Sequence, residues 1–142
     1  MSFASDSPLP PIALLYQDAH LAVVDKPAGL MVHDSGLARG EGVFLADLLR
    51  AQLDRPIFLI HRLDRATSGC LLVAFDRDTA SVLGQGFMSR EVEKDYLAVC
   101  RGWPEAEFTI DHALDGGPGK PEKKPAMTGF VRLASGELDL SL

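Results

Sequence analysis

The sequence predicts an α+β domain in which helices flank a mixed, largely antiparallel sheet. Short apolar runs bounded by turn residues recur along the chain, as is typical of strands. Two longer segments carry apolar residues at helical spacing. These elements do not follow the strict alternation of βαβ units, and that order disfavours a parallel sheet.

The composition fits one packed domain. The chain has 142 residues, of which 46% are hydrophobic and 24% are charged, enough apolar material for a core. Its longest apolar runs are far shorter than the ~20 residues of a membrane span. The N-terminus lacks the basic segment and the apolar segment of a signal peptide. We therefore expect a cytoplasmic protein with no membrane partner. Residues 1–11, rich in Ser and Pro, predict a flexible leader to a domain over 12–142.

A hairpin and a helix are predicted first. Residues 12–18 and 20–27 are apolar runs separated by a polar turn, and Pro27 should end the second because proline cannot donate to a strand ladder. Residues 42–54 have helical periodicity, and Pro56 should close that helix. The predicted apolar face of this helix consists of Leu45, Leu48, Leu49 and Leu53.

Two buried strands are predicted next, over residues 57–60 and 69–75, with a polar cluster between them. Asp76 or Asp78 can cap the helix that follows, which should end near Arg90. Its predicted core-facing residues are Ala80, Leu83 and Phe87.

Three more strands are predicted in the last third of the chain. They cover residues 93–103, 107–114 and 127–135. The Lys- and Pro-rich stretch 115–126 separates the last two and predicts a loop.

The charge balance disfavours a generic nucleic-acid binder. The net charge is −6, whereas nonspecific affinity comes from Lys and Arg neutralising phosphates. Residues 62–104 hold six basic and six acidic side chains and are therefore neutral. Any RNA contact must then be local.

Cysteine and histidine usage disfavours metal chemistry. Cys70 and Cys100 lie in apolar runs without a CxxC partner, so we expect buried, reduced thiols and neither a disulfide nor a zinc site. The four histidines, at positions 20, 33, 61 and 112, have no ligand spacing. We expect no metal.

The polar cluster HRLDRATSG, residues 61–69, is the candidate functional segment. Asp64 lies between Arg62 and Arg65, and nearby positive charge favours an ionised carboxylate that could act as a nucleophile. Thr67 and Ser68 supply hydroxyls that can bond loop backbone. The same pattern also suits a surface turn held by ion pairs, and the residues alone leave both interpretations open.

HRLDRATSG resembles the HRLDxxTSG signature of the RluA-type pseudouridine synthases. Three other stretches resemble that family in the same order, and the resemblance covers about residues 12–136: LYQDAHLAVVDKPAGLMVH, KDYLAVCRG and KPAMTGFVRLA. CRGW together with DHAL is similar to the TruC branch, which modifies tRNA.

The resemblance implies an RNA uridine isomerase, with tRNA as the expected substrate and ribosomal RNA as the alternative. Asp64 would attack the uracil ring or the ribose anomeric carbon, so that the base detaches, rotates and rejoins through carbon 5 without a cofactor. Tyr96 would stack on the uracil and is a candidate base; otherwise it is a half-buried strand tyrosine. Arg62 would fill the gap left by the extruded nucleotide; otherwise it is an ion-pair partner of Asp64.

The remaining expected RNA-binding residues surround Asp64 in sequence or precede it in the hairpin. His61 is expected to orient the Asp64 loop, and Lys26 to be a phosphate contact or a solvated lysine. Arg65 and Thr67 complete the set.

The resemblance also implies an incomplete catalytic domain. The related enzymes continue into a GRxHQxR segment whose arginine pairs with the catalytic aspartate, and this sequence contains none. We therefore expect residues 12–142 to be the N-terminal part of such a domain, inactive and marginally soluble alone. An alternative function is RNA binding without chemistry. A third hypothesis, an unrelated Asp/His hydrolase, is disfavoured because the sequence contains neither a serine elbow nor metal ligands.

Overall fold

The computed structural model describes residues 10–33, 42–116 and 122–137. They belong to two compact units, Met1–Lys94 and Asp95–Leu142. The predicted leader over residues 1–11 lies outside the described residues except for Pro10 and Pro11.

The first unit contains a four-stranded antiparallel sheet. Strands β1 (Ala13–Gln17), β2 (Leu21–Lys26), β3 (Phe58–Leu59) and β4 (Gly69–Ala74) lie in the order β1-β2-β4-β3. The predicted hairpin and antiparallel sheet are confirmed. β2 ends at Lys26, just before Pro27.

Helix α1 (Leu45–Leu53) covers the core of this sheet. Leu45 and Leu49 are fully buried, and Leu48 and Leu53 pack against the same cluster. The predicted face is confirmed because helical periodicity is a local property of the chain. The core cluster consists of Ile12, Ala22, Val24, Val32, Leu45, Leu49, Ile57, Leu63, Leu71, Val73 and Phe75.

Helix α2 (Arg77–Met88) begins at Asp76, whose carboxylate accepts a hydrogen bond from the Thr79 backbone N–H at 2.8 Å. Asp76 is therefore the cap, and Asp78 lies inside the helix. The predicted core-facing residues Ala80, Leu83 and Phe87 are only half-buried, and α2 has no fully buried residue. This face is predicted to be part of the core, and it is less buried than that prediction implies, because α2 packs near the edge of the sheet formed by β3 and β4.

The second unit has two short antiparallel pairs. β5 (Glu107–Asp111) pairs with β8 (Met127–Val131), and β6 (Leu114–Asp115) pairs with β7 (Lys123–Lys124). Phe108 and Phe130 stack across the first pair with ring centroids 4.7 Å apart. The prediction of one strand over 107–114 is wrong, because β5 ends at Asp111 and β6 begins at Leu114. The prediction of a loop throughout 115–126 is also wrong, because this stretch contains β7 and the end of β6. Residues 117–121 lie outside the described part.

Two other predictions are wrong. Residues 93–103 form no strand, because no described segment pairs with them and strand propensity needs a partner to be expressed. Cys70 and Cys100 are both exposed rather than buried. Cys70 occupies an outward position of β4, whose side chains alternate between the two faces of the sheet.

Candidate active site

The register of the sheet brings two loops together. β2 and β4 are antiparallel, and Lys26 at the end of β2 is opposite Gly69 at the start of β4. The segment after β2, residues 27–33, therefore lies beside the segment before β4, residues 60–68. The polar cluster is contained in the second of these segments.

Lys26 links these two loops through its ammonium group. It is fully buried, and Nζ donates hydrogen bonds to the carbonyls of Pro27 at 2.9 Å, Leu30 at 2.7 Å and Arg65 at 3.2 Å. Burial lowers the pKa of Lys26, and the negative charge of Asp64 opposes that shift. A buried amine cannot serve as the expected phosphate contact or solvated lysine, so the structure corrects that expectation.

Further bonds fix the loop on both sides of Asp64. The Arg65 carbonyl also accepts the Gly29 N–H at 2.7 Å, and Arg65 Nε donates to the Gly29 carbonyl at 3.0 Å. Gly29 has φ of 87°, a conformation that favours glycine. Leu63, on the other side, belongs to the buried core. The Asp64 backbone is thus held between a buried side chain and a bonded carbonyl.

The Asp64 carboxylate itself faces solvent. Its side chain is 81% exposed, and within the described part of the chain Oδ1 lies 3.9 Å from a terminal nitrogen of Arg62. An exposed pair at this distance contributes at most about 1 kcal/mol. The Thr67 N–H donates to the Asp64 carbonyl at 3.0 Å, which closes the turn. The loop therefore combines a fixed backbone with an accessible carboxylate.

A half-open cavity of about 150 Å³ lies between the two loops. This volume is below the ~300–1,000 Å³ of sites for drug-sized ligands, so it suits one small ring or anionic group. The cavity is lined by Met31, Val32, His33, Arg62, Leu63, Asp64 and Arg65.

His61 is directed towards the sheet. Its Nε2 accepts the Leu72 backbone N–H at 2.9 Å, and its ring stacks on Phe87 at 4.5 Å. Burial, followed by the positive charge of Lys94, lowers the pKa of His61. A neutral ring is required, because a protonated nitrogen could not accept that N–H. His61 thus anchors the start of the loop to β4 and α2.

Tyr96 belongs to the second unit and is 62% exposed. Of the seven predicted site residues, Arg62, Asp64 and Arg65 line the cavity. Lys26, His61 and Thr67 support its loops from within the first unit.

The sequence interpretation assigned no binding role to the other wall of the cavity, residues 31–33, because His33 lacks metal-ligand spacing and lies outside the HRLDRATSG segment. No cluster of three or more His, Cys, Asp or Glu that could hold a metal occurs among the described residues. No helix in the described ranges is both long enough and apolar enough to cross a membrane.

The fold and the site together define an α+β protein that presents an exposed carboxylate, between two arginines, beside a cavity for a small group. Residues 20–138 match the family model described as RNA pseudouridylate synthase. The chain therefore belongs to the RNA pseudouridylate synthase family.

Individual relatives agree with this assignment. The chain is 38% identical to "tRNA pseudouridine synthase C" of Pectobacterium carotovorum subsp. carotovorum, over 92% of this chain and 37% of the relative. It is 45% identical to the protein of the same name from Pasteurella multocida, over 72% and 42%. The solved structure of human RNA Pseudouridylate Synthase Domain Containing 1 aligns with a TM-score of 0.67 at 28% identity, over 84% of this chain and 51% of that one. The chain thus spans about two fifths of the length of these curated relatives.

Proposed function

We propose that this chain supplies the nucleophile-bearing part of an enzyme that isomerises uridine to pseudouridine in tRNA, with Asp64 as the nucleophile. The observation that carries the proposal is the combination of a fixed Asp64 backbone, bonded through the Arg65 carbonyl to buried Lys26, with a carboxylate that is 81% exposed at a small cavity. A nucleophile must be accessible and yet placed in a defined position, because positioning provides much of the rate enhancement.

The chemistry needs one nucleophile and one base. An Asp64 oxygen attacks the uracil ring or carbon 1′ of the ribose, the bond between N1 and carbon 1′ breaks, and the base rotates. Carbon 5 then bonds to carbon 1′ and the aspartyl bond breaks. The hydrogen on carbon 5 leaves as a proton, and N1, freed from carbon 1′, takes up a proton in its place. The product is an isomer of the substrate, so no oxidant, reductant or cofactor enters the balance.

Two further residues are proposed to act on the target nucleotide. Tyr96 stacks on the uracil and accepts the proton from carbon 5. Arg62 fills the space from which the base is extruded, because an enzyme must take a stacked base out of the helix to reach it. The 66% exposure of the Arg62 side chain leaves it free to enter an RNA helix.

The supporting residues have a different proposed role. Lys26, His61 and Thr67 position the Asp64 loop without touching RNA, whereas Arg65 lines the cavity and contacts the substrate. tRNA is proposed over ribosomal RNA because the relatives are named tRNA pseudouridine synthase C. A cytoplasmic location follows from that substrate.

The second candidate function is RNA binding without chemistry. It is favoured by one observation, the exposed Arg62 and Arg65 side chains that line the cavity, because such groups can bind phosphate without any chemistry. We expect residues 1–142 alone to bind tRNA and to leave its uridines unchanged.

One experiment separates the two functions. This chain replaces the matched segment of the Pectobacterium carotovorum relative, and the chimera is incubated with tRNA tritiated at uridine carbon 5. We expect tritium release by the chimera and none by residues 1–142 alone. A chimera that has a folded circular dichroism spectrum and binds tRNA, but releases no tritium, would contradict the catalytic proposal.

A further inference from the structure

The proposed reaction leaves one wall of the cavity without a role. The wall is formed by residues 31–33, and two backbone hydrogen bonds fix it to the start of α1. The Leu45 N–H donates to the Met31 carbonyl at 2.9 Å, and the Ala46 N–H donates to the Val32 carbonyl at 3.1 Å. Val32 is itself buried in the core. His33 follows this fixed pair directly, is exposed, and lines the cavity.

The charges around the cavity favour an anionic ligand. Among the described residues that line the cavity, Arg62 and Arg65 carry two positive charges and Asp64 carries one negative charge. The His33 imidazole adds a hydrogen-bond donor from the facing loop. Arg65 is fixed by the bond from its Nε to the Gly29 carbonyl at 3.0 Å. Charge-assisted hydrogen bonds from a guanidinium group to phosphate are roughly twice as strong as hydrogen bonds between neutral groups.

We propose that His33 binds the phosphate group of the target nucleotide, together with Arg65, while the base is presented to Asp64. The inference rests on the proposed function for the identity of the nucleotide. It adds a substrate-binding residue to those that the sequence analysis named. Two loops would then hold the nucleotide, one through His33 and the other through Arg65 and Asp64.

NMR can follow this contact without any turnover. The 142-residue chain contains four histidines, so its imidazole signals can be assigned with four single His→Ala variants. The chain is titrated with uridine 5′-monophosphate, with uridine and with inorganic phosphate in separate experiments. We expect the monophosphate to shift the His33 signal in a saturable way, and uridine to leave it in place.

The matched control is His112, an exposed histidine of the second unit. His33→Ala should weaken the Kd for uridine 5′-monophosphate about tenfold, the usual effect of losing a hydrogen bond to a charged group, and His112→Ala should change it less than twofold. His33→Gln keeps a hydrogen-bond donor, so it should raise the Kd for uridine 5′-monophosphate less than His33→Ala does.

Three results would overturn the inference. The first is a His33 signal that does not move at tens of millimolar uridine 5′-monophosphate. The second is an equal response to uridine, which would remove the phosphate contact. The third is a Kd for inorganic phosphate equal to that for the monophosphate, which would show that the site binds phosphate without recognising the nucleotide. Because none of these readouts needs isomerisation, they are independent of whether Asp64 is the nucleophile.

Discussion

Replacing Lys26 by methionine tests how the Asp64 loop is held. The substitution keeps a long apolar stem but removes three hydrogen bonds from Nζ, to the carbonyls of Pro27, Leu30 and Arg65. The Arg65 carbonyl keeps the bond from the Gly29 N–H, so two carbonyls lose their donor. An acceptor left unsatisfied in a fully buried site costs about 1–3 kcal/mol. Pro27 is exposed and Leu30 is half-buried, so water replaces part of the lost bonding, and removal of a buried charge returns a further part of that cost.

We therefore expect Lys26→Met to lower the free energy of unfolding by about 1–3 kcal/mol. Urea denaturation followed by circular dichroism measures this change. The control is Lys124→Met, since Lys124 is exposed and surface substitutions usually stay within about 0.5 kcal/mol. If Lys26→Met is no more destabilising than Lys124→Met, Lys26 does not hold the two loops together.

Three other substitutions test single residues. In the chimera, Arg62→Ala should slow isomerisation of a uridine in a duplex more than that of an unpaired uridine, because unstacking costs a few kcal/mol; equal losses would remove the base-flipping role. Tyr96→Phe keeps the ring and should cost about 10²-fold in tritium release if the hydroxyl is the base, and Tyr16→Phe serves as the control. Stability should fall as pH decreases from about 7.5 to about 5, because burial lowers the pKa of His61 below 6.5 and the unfolded chain then binds the proton more readily. His61→Gln, whose amide oxygen can accept the Leu72 N–H, should flatten that dependence in urea titrations, and an unchanged slope would refute the assignment.

Features that depend on local pattern could be predicted from the sequence. The end of β2 before Pro27 and the Asp76 cap of α2 follow from the chemistry of neighbouring residues. So does the apolar face of α1, whose leucines recur every three or four residues. The antiparallel sheet follows from the order of these elements.

Features that depend on distant partners could not be predicted. Lysine is almost never fully buried, and one acceptor of Lys26 is contributed by Arg65, 39 residues away. The contact of His61 with Phe87 joins a loop to a helix. His33 reaches the cavity only because the backbone before it is bonded to α1. The predicted strand over 93–103 failed for the same reason, since no described segment pairs with it.

The central claim is that Asp64 is the nucleophile, and tritium release from uridine carbon 5 by the Asp64→Asn chimera tests it most directly. Asparagine has a similar shape but cannot form the covalent bond, so we expect release to fall by far more than ~10²-fold, the usual effect of losing a single proton-transfer group, with tRNA binding nearly unchanged. Asp78→Asn, at an exposed position of α2, should retain the activity of the parent. An Asp64→Asn chimera within about tenfold of the parent would contradict the claim.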